Sequence, residues 1–115
     1  MTIPPEINTL VAQINSELDQ IEQQSTLGIE RARTLLDRFP NNDFLIRDFA
    51  LFNNAIFLVS SFRRQIQANL NEISNEEIPD SILQEIGEYL STLQGRAIEA
   101  KIQVEASVAR LERLL

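Results

Sequence analysis

Apolar residues recur at steps of three and four along three stretches of this chain, which is the spacing of one face of an α-helix. Two segments interrupt the pattern, at 39–42 and 74–79, and each combines turn-forming residues with a proline. The pattern therefore predicts three helices, over about 5–39, 43–73 and 79–114. The third stripe alternates steps of three and four over more than four heptads, which is typical of left-handed, coiled-coil-like packing.

Short connections between the predicted helices require neighbours in sequence to lie antiparallel. The expected fold is all-α: an up-down-up bundle of three long helices, forming a single domain over residues 1–115. At 1.5 Å per residue, each helix would be about 50 Å long. The chain of 115 residues is too short for two ordinary domains.

Small residues at 25–28 leave two interpretations of the first helix. Ser25 and Gly28 could mark a break, but the apolar stripe keeps its phase across them, which favours one continuous helix. Small side chains there would let a neighbouring helix approach closely. On the second helix, Phe52 and Ile56 lie at the middle of the main stripe, and we expect both to be core residues.

The second helix has more apolar surface than one neighbour would cover. Its apolar residues span about half of the circumference, and Ile46 and Phe57 lie on the far side. Over residues 41–74 the chain carries three acids and three bases, whereas the flanking thirds are acidic. A neutral, apolar face on this helix favours contact with another protein.

A second row of small and apolar residues lies beside the heptad seam of the third helix. It could be a second interface, because two exposed isoleucines would be costly in water, or it could complete the intramolecular core. With the two residues on the second helix, this row forms the predicted interface set: Ile46, Phe57, Gly87, Ser91, Gly95, Ile98 and Ile102.

Two charged residues, Asp48 and Arg63, interrupt the apolar arc of the second helix. Counting residues across the turns places Asp48 opposite Arg33 and near Lys101, and Arg63 opposite residues 19–22. The pair could bind a polar ligand, but partly buried ion pairs that fix helix register are the commoner use of such positions. We therefore expect Asp48 and Arg63 to be buried polar residues with a structural role.

The amino-acid composition excludes the catalytic mechanisms that depend on cysteine or histidine. The chain has no Cys, His or Trp, which excludes disulfides, thiolate zinc sites, cysteine nucleophiles and Ser-His-Asp triads. Carboxylate pairs at helical spacing, such as Glu85 with Glu88, are typical of solvated helix faces when no histidine accompanies them. We expect no enzyme activity, no metal and no cofactor.

The formal net charge of −7 opposes binding to nucleic acids and to anionic lipid surfaces. No run of eighteen apolar residues exists, and no basic and apolar leader follows Met1, so we expect a cytoplasmic protein without membrane insertion.

These features favour a non-enzymatic helical interaction or scaffold module, or small subunit, that acts through protein–protein contacts as a homodimer. Two alternatives come from other classes of function. One is an acidic, antitoxin-like inhibitor or adaptor of a basic partner. The other is a bundle that binds an apolar ligand among the phenylalanines of the second helix.

Overall fold

Three antiparallel helices account for nearly the whole chain. The computed structural model describes residues 3–75 and 77–115, which contain α1 (Pro5–Arg38), α2 (Asp43–Asn75) and α3 (Asp80–Leu114) and no strand. The molecule measures 57 × 18 × 17 Å, so the helices lie side by side along one long axis. The predicted all-α three-helix bundle is confirmed, and the helix ends differ from the predicted ones by no more than two residues.

The helix starts have local causes in the sequence. Pro5 occupies the first position of α1, where the missing N–H costs no hydrogen bond. At α2 the Asn42 side-chain oxygen accepts a hydrogen bond from the Leu45 N–H at 3.1 Å, which caps the helix. Pro79 precedes α3 in an extended conformation. Thr2 has a side chain of the kind that caps a helix, but it lies outside the described residues.

α1 continues without a break through residues 25–28, which confirms the prediction of one continuous helix. Gly28 lies directly under the ring of Phe52 from α2. A Cβ atom at Gly28 would stand only 2.5–2.7 Å from three carbons of that ring. The glycine is therefore a contact residue, since its missing side chain is what lets Phe52 pack against α1.

The core follows the three predicted stripes closely, with exceptions at their edges. Phe52 is fully buried, as predicted. The prediction for Ile56 is wrong, because this residue lies on the flank of the α2 stripe and is only half-buried. Leu114, the last heptad position, is exposed at the end of α3. The largest fully buried side chains from the three helices are Phe52, Phe62, Ile14, Leu18, Ile21, Ile73, Leu90, Leu93 and Leu111.

The three helix pairs do not pack equally. α1 packs closely along both other helices, whereas α2 and α3 approach each other less closely. The bundle is therefore open on the side where α2 and α3 face each other.

One core position is polar. Ser25 is fully buried, and its hydroxyl has no hydrogen-bond partner among the described residues. An unpaired buried hydroxyl carries a desolvation cost. We therefore expect Ser25→Ala to raise the free energy of unfolding by about 1 kcal/mol in urea denaturation. Ser91→Ala, at an exposed position of α3, is the matched control and should change it by less than about 0.5 kcal/mol. A loss of stability in Ser25→Ala would mean that the hydroxyl is satisfied in solution.

Candidate functional site

The outer side of α2 carries two apolar residues that the bundle does not cover. Phe57 is 76% exposed and Ile46 is 47% exposed. They are eleven residues apart, close to three full turns, so they lie on the same side of the helix. Both were predicted to lie on the far side of this helix, and the structure places them there.

This side of α2 is also free of exposed acids. Between Phe44 and Asn71 the helix contains a single acid, Asp48, which is buried and paired. The exposed charges over that length are therefore basic, chiefly Arg47 and Arg64. In a chain of net charge −7, this is a local region without exposed negative charge. We call the exposed side of α2 from Ile46 to Arg64 the α2 outer face.

The predicted row on α3 is exposed as well. Ile98 and Ile102 are 38% and 61% exposed, and Ser91 is exposed beside them. Gly87 and Gly95 have open space where a side chain would stand. The row therefore does not complete the intramolecular core.

Contacts on either side of this row show where it points. Lys101 and Gln94 reach α1, whereas Arg96 and Arg110 reach α2. At 100° per residue, Ile98 and Ile102 lie between those two sets, on the outside of α3 and nearer to α1. The seven predicted interface residues thus form two surfaces on different helices, the α2 outer face and the α3 row.

Asp48 is buried, but its partner differs from the predicted one. The Arg110 Nη2 donates hydrogen bonds of 2.9 Å to the Asp48 carboxylate and to Ser107. Arg33, predicted to lie opposite Asp48, instead stands over the ring of Phe49 at 5.8 Å. The prediction fails because Arg33 lies on the exposed edge of α1, whereas the long Arg110 side chain reaches Asp48 from α3.

Arg63 joins α2 to α1 in the predicted region. Its two terminal nitrogens donate hydrogen bonds to Glu22 at 2.9 Å and to Asp19 at 2.8 Å. The Glu22 hydrogen bond is the main cause that raises the pKa of Arg63 above its usual value. The side chain is 39% exposed, so Arg63 is half-buried rather than buried. Both partners hold it on the bundle surface, in a structural link between helices.

Lys101, predicted near Asp48, lies beside α1 instead. Its ammonium is 2.7 Å from a carboxylate oxygen of Glu17. This contact raises the pKa of Lys101 above 10.5. The stabilisation by this pair is therefore present below that ordinary value and is lost as the pH rises through the higher folded-state value.

A groove between α2 and α3 was not predicted from the sequence. It has a volume of about 430 Å³ and opens to solvent. Six residues of α2 and three of α3 line it: Arg47, Ala50, Leu51, Asn54, Ala55 and Leu58, with Ala100, Gln103 and Val104. Alanines on both walls leave the space unfilled, and the loose approach of α2 to α3 keeps it open. In the sequence, the groove is indicated by alanines at positions of the apolar stripes where most other side chains are large.

Within residues 3–75 and 77–115, no cluster of three or more acids is arranged to hold a metal ion.

By length and composition alone, α2 is apolar enough to cross a membrane. In the bundle 28% of that apolar window is buried, and Asp48 and Arg63 of α2 form ion pairs with α3 and α1.

Comparison with protein-family models, with curated proteins and with solved structures found no match to this chain. The surface features that point to a function are therefore the α2 outer face, the α3 row and the α2–α3 groove.

Proposed function

We propose that this protein is a non-enzymatic helical interaction module that self-associates into a homodimer through the α2 outer face. The observation that carries the proposal is the exposure of Phe57 and Ile46 on a surface without exposed acids. Large aromatic residues surrounded by small and polar ones dominate the energy of protein–protein contacts.

Electrostatics favours this face over the alternatives. α1 and α3 carry the excess of acids, so two copies meeting through those helices would bring like charges together. Two α2 outer faces would meet without that repulsion. A two-fold contact is also the commonest way to cover such a surface in a soluble oligomer.

The acidic-adaptor alternative has less support from the surface. Several acids are already neutralised within the bundle: Glu17, Asp19, Glu22, Asp48 and Glu112 all form ion pairs.

The ligand-binding alternative likewise has little support, since Phe52 and Phe62 are packed in the core and the α2–α3 groove is open to solvent. Self-association remains the function that the exposed residues favour.

Sedimentation equilibrium of the wild type beside two charged variants tests the proposal. We expect the wild-type mass to approach twice 13.1 kDa at high micromolar concentration. Phe57→Glu should remain monomeric, because it places a charge on the contact surface. Ile98→Glu, which places the same charge at an exposed position of the α3 row, is the control and should leave the dimer intact.

Three other results would have clear meanings. A monomeric wild type would contradict the proposal. Loss of the dimer only in Ile98→Glu would move the interface to the α3 row. A dimer that survives both changes would place the contact elsewhere. Circular dichroism of each variant verifies the fold, which both exposed positions should leave unchanged.

A further inference from the structure

We propose that the α2–α3 groove binds an acidic amphipathic helix of a partner protein, which lies along α2 from Phe44 to Leu58 as a fourth helix of the bundle. The groove opens where α2 and α3 approach each other less closely than either helix approaches α1. A helix that packs against two neighbours at once is the arrangement of a four-helix bundle. The inference goes beyond the proposed self-association and does not depend on it.

Large apolar side chains line the α2 side of this opening. Phe44, Leu51 and Leu58 are each seven residues apart, so they lie on one side of the helix and span about 21 Å. Phe44 is 74% exposed, and Leu51 and Leu58 are half-buried. We call these three residues the α2 flank row. A seven-residue repeat of this kind lets a second helix pack along the first, and α3 leaves the row partly uncovered.

A second cavity lies between the same two helices, nearer to the end of the bundle. It has a volume of about 380 Å³, and its lining includes Phe44 and Leu114, which is 64% exposed. Among the described residues, none from α1 lines either cavity. The linings are centred about seven residues apart on α2 and about ten apart on α3, so the cavities are about 10–15 Å apart. Two apolar side chains on the same side of one partner helix would therefore reach both.

Charges along the opening select the partner. Arg47 lines the groove and Arg113 lines the second cavity, and in the described part of the chain neither forms an ion pair. Asp48 is the single acid of the described residues that lines either cavity, and it is paired with Arg110. The opening is therefore locally basic in a chain of net charge −7. Acidic residues beside the apolar stripe of a partner helix would complement it.

The α2 outer face does not cover this opening. Phe57 and Ile46 lie about 130° around α2 from the α2 flank row, so two copies paired through those residues would leave the groove free. A second copy that placed another of its surfaces in the groove would make a head-to-tail contact, which does not close into a two-fold dimer. The groove therefore favours a helix of another protein.

Two synthetic peptides test the charge of the partner. Both are amphipathic helices of about three heptads with leucine at positions a and d, and they carry either glutamate or lysine at positions e and g. Fluorescence anisotropy with labelled peptide at nanomolar concentration measures their binding. We expect the glutamate peptide to bind at least ten-fold more tightly, although the net charge of −7 would attract the lysine peptide. Equal affinities, a preference for lysine, or no binding of either peptide would overturn the inference.

Substitutions locate the bound peptide. Arg47→Glu should weaken binding of the glutamate peptide about five-fold or more, whereas the same charge change on α1, Arg33→Glu, should alter it less than two-fold. Phe44→Ala should also weaken it about five-fold or more, and Ile102→Ala, at an exposed position of the α3 row, is its control. Binding that is insensitive to both Arg47→Glu and Phe44→Ala would place the peptide elsewhere and contradict the proposed site.

Sedimentation of the same variants separates this site from self-association. A wild-type dimer that dissociates with Phe44→Ala but persists with Phe57→Glu would mean that a second copy occupies the groove, which contradicts a partner helix. A monomeric wild type that still prefers the glutamate peptide would support the groove site and contradict only the homodimer. Circular dichroism verifies the fold of each variant.

Discussion

Replacing Phe52 with alanine should lower the free energy of unfolding by about 3–5 kcal/mol. The ring is fully buried at the middle of α2, and it packs against α1 over Gly28. Truncation leaves a cavity that the surrounding helices cannot fill without separating from their other contacts. Urea denaturation followed by circular dichroism, at a concentration below self-association, measures the loss.

Phe57→Ala is the matched control for that measurement. The same side chain is removed from the same helix, but at a position that is 76% exposed. The unfolding free energy of the monomer should change by less than about 0.5 kcal/mol. If the two truncations cost the same, the assignment of the core face of α2 is wrong.

The same substitution should have opposite effects at two glycines. At Gly28 an alanine Cβ would overlap the Phe52 ring, which is held in the core, and overpacking of this kind costs about 1–3 kcal/mol. At Gly95 nothing lies within 4 Å of the new atom, so Gly95→Ala should gain about 1 kcal/mol from helix propensity. After the same propensity gain is subtracted, Gly28→Ala should lose up to about 2 kcal/mol.

A double substitution separates the overlap from other causes. With Phe52→Leu, whose side chain lacks the far end of the ring, Gly28→Ala should become neutral or stabilising. An additive result in this double-mutant cycle would contradict the contact between the two residues. Unfolding free energies of the four proteins provide the measurement.

Helix number, helix bounds and the buried stripes were predictable from periodicity alone. The uninterrupted phase across residues 25–28 was enough to predict one continuous α1, and the contact of Phe52 with Gly28 explains why small residues stand there. Ile56 was misassigned because a periodic pattern does not tell the centre of a stripe from its flank. The distinction depends on where α1 and α3 lie around α2.

Ionic partners and the groove were less accessible to sequence reasoning. Residue counting across a turn gives the height of a side chain along the bundle but not its direction. It therefore found the region opposite Arg63, but it paired Asp48 with Arg33 instead of Arg110. The groove depends on the loose approach of α2 to α3, which is set by how both helices pack on α1.

Small-angle X-ray scattering of the wild type over a concentration series tests self-association through the α2 outer face most directly. We expect the scattering mass to double from 13.1 kDa as concentration rises into the high micromolar range. Side-by-side α2 helices, paired around the middle of the α2 outer face, would extend the particle from 57 Å to no more than about 70 Å. A mass that stays at 13.1 kDa, or a dimer near twice the monomer length, would contradict the account.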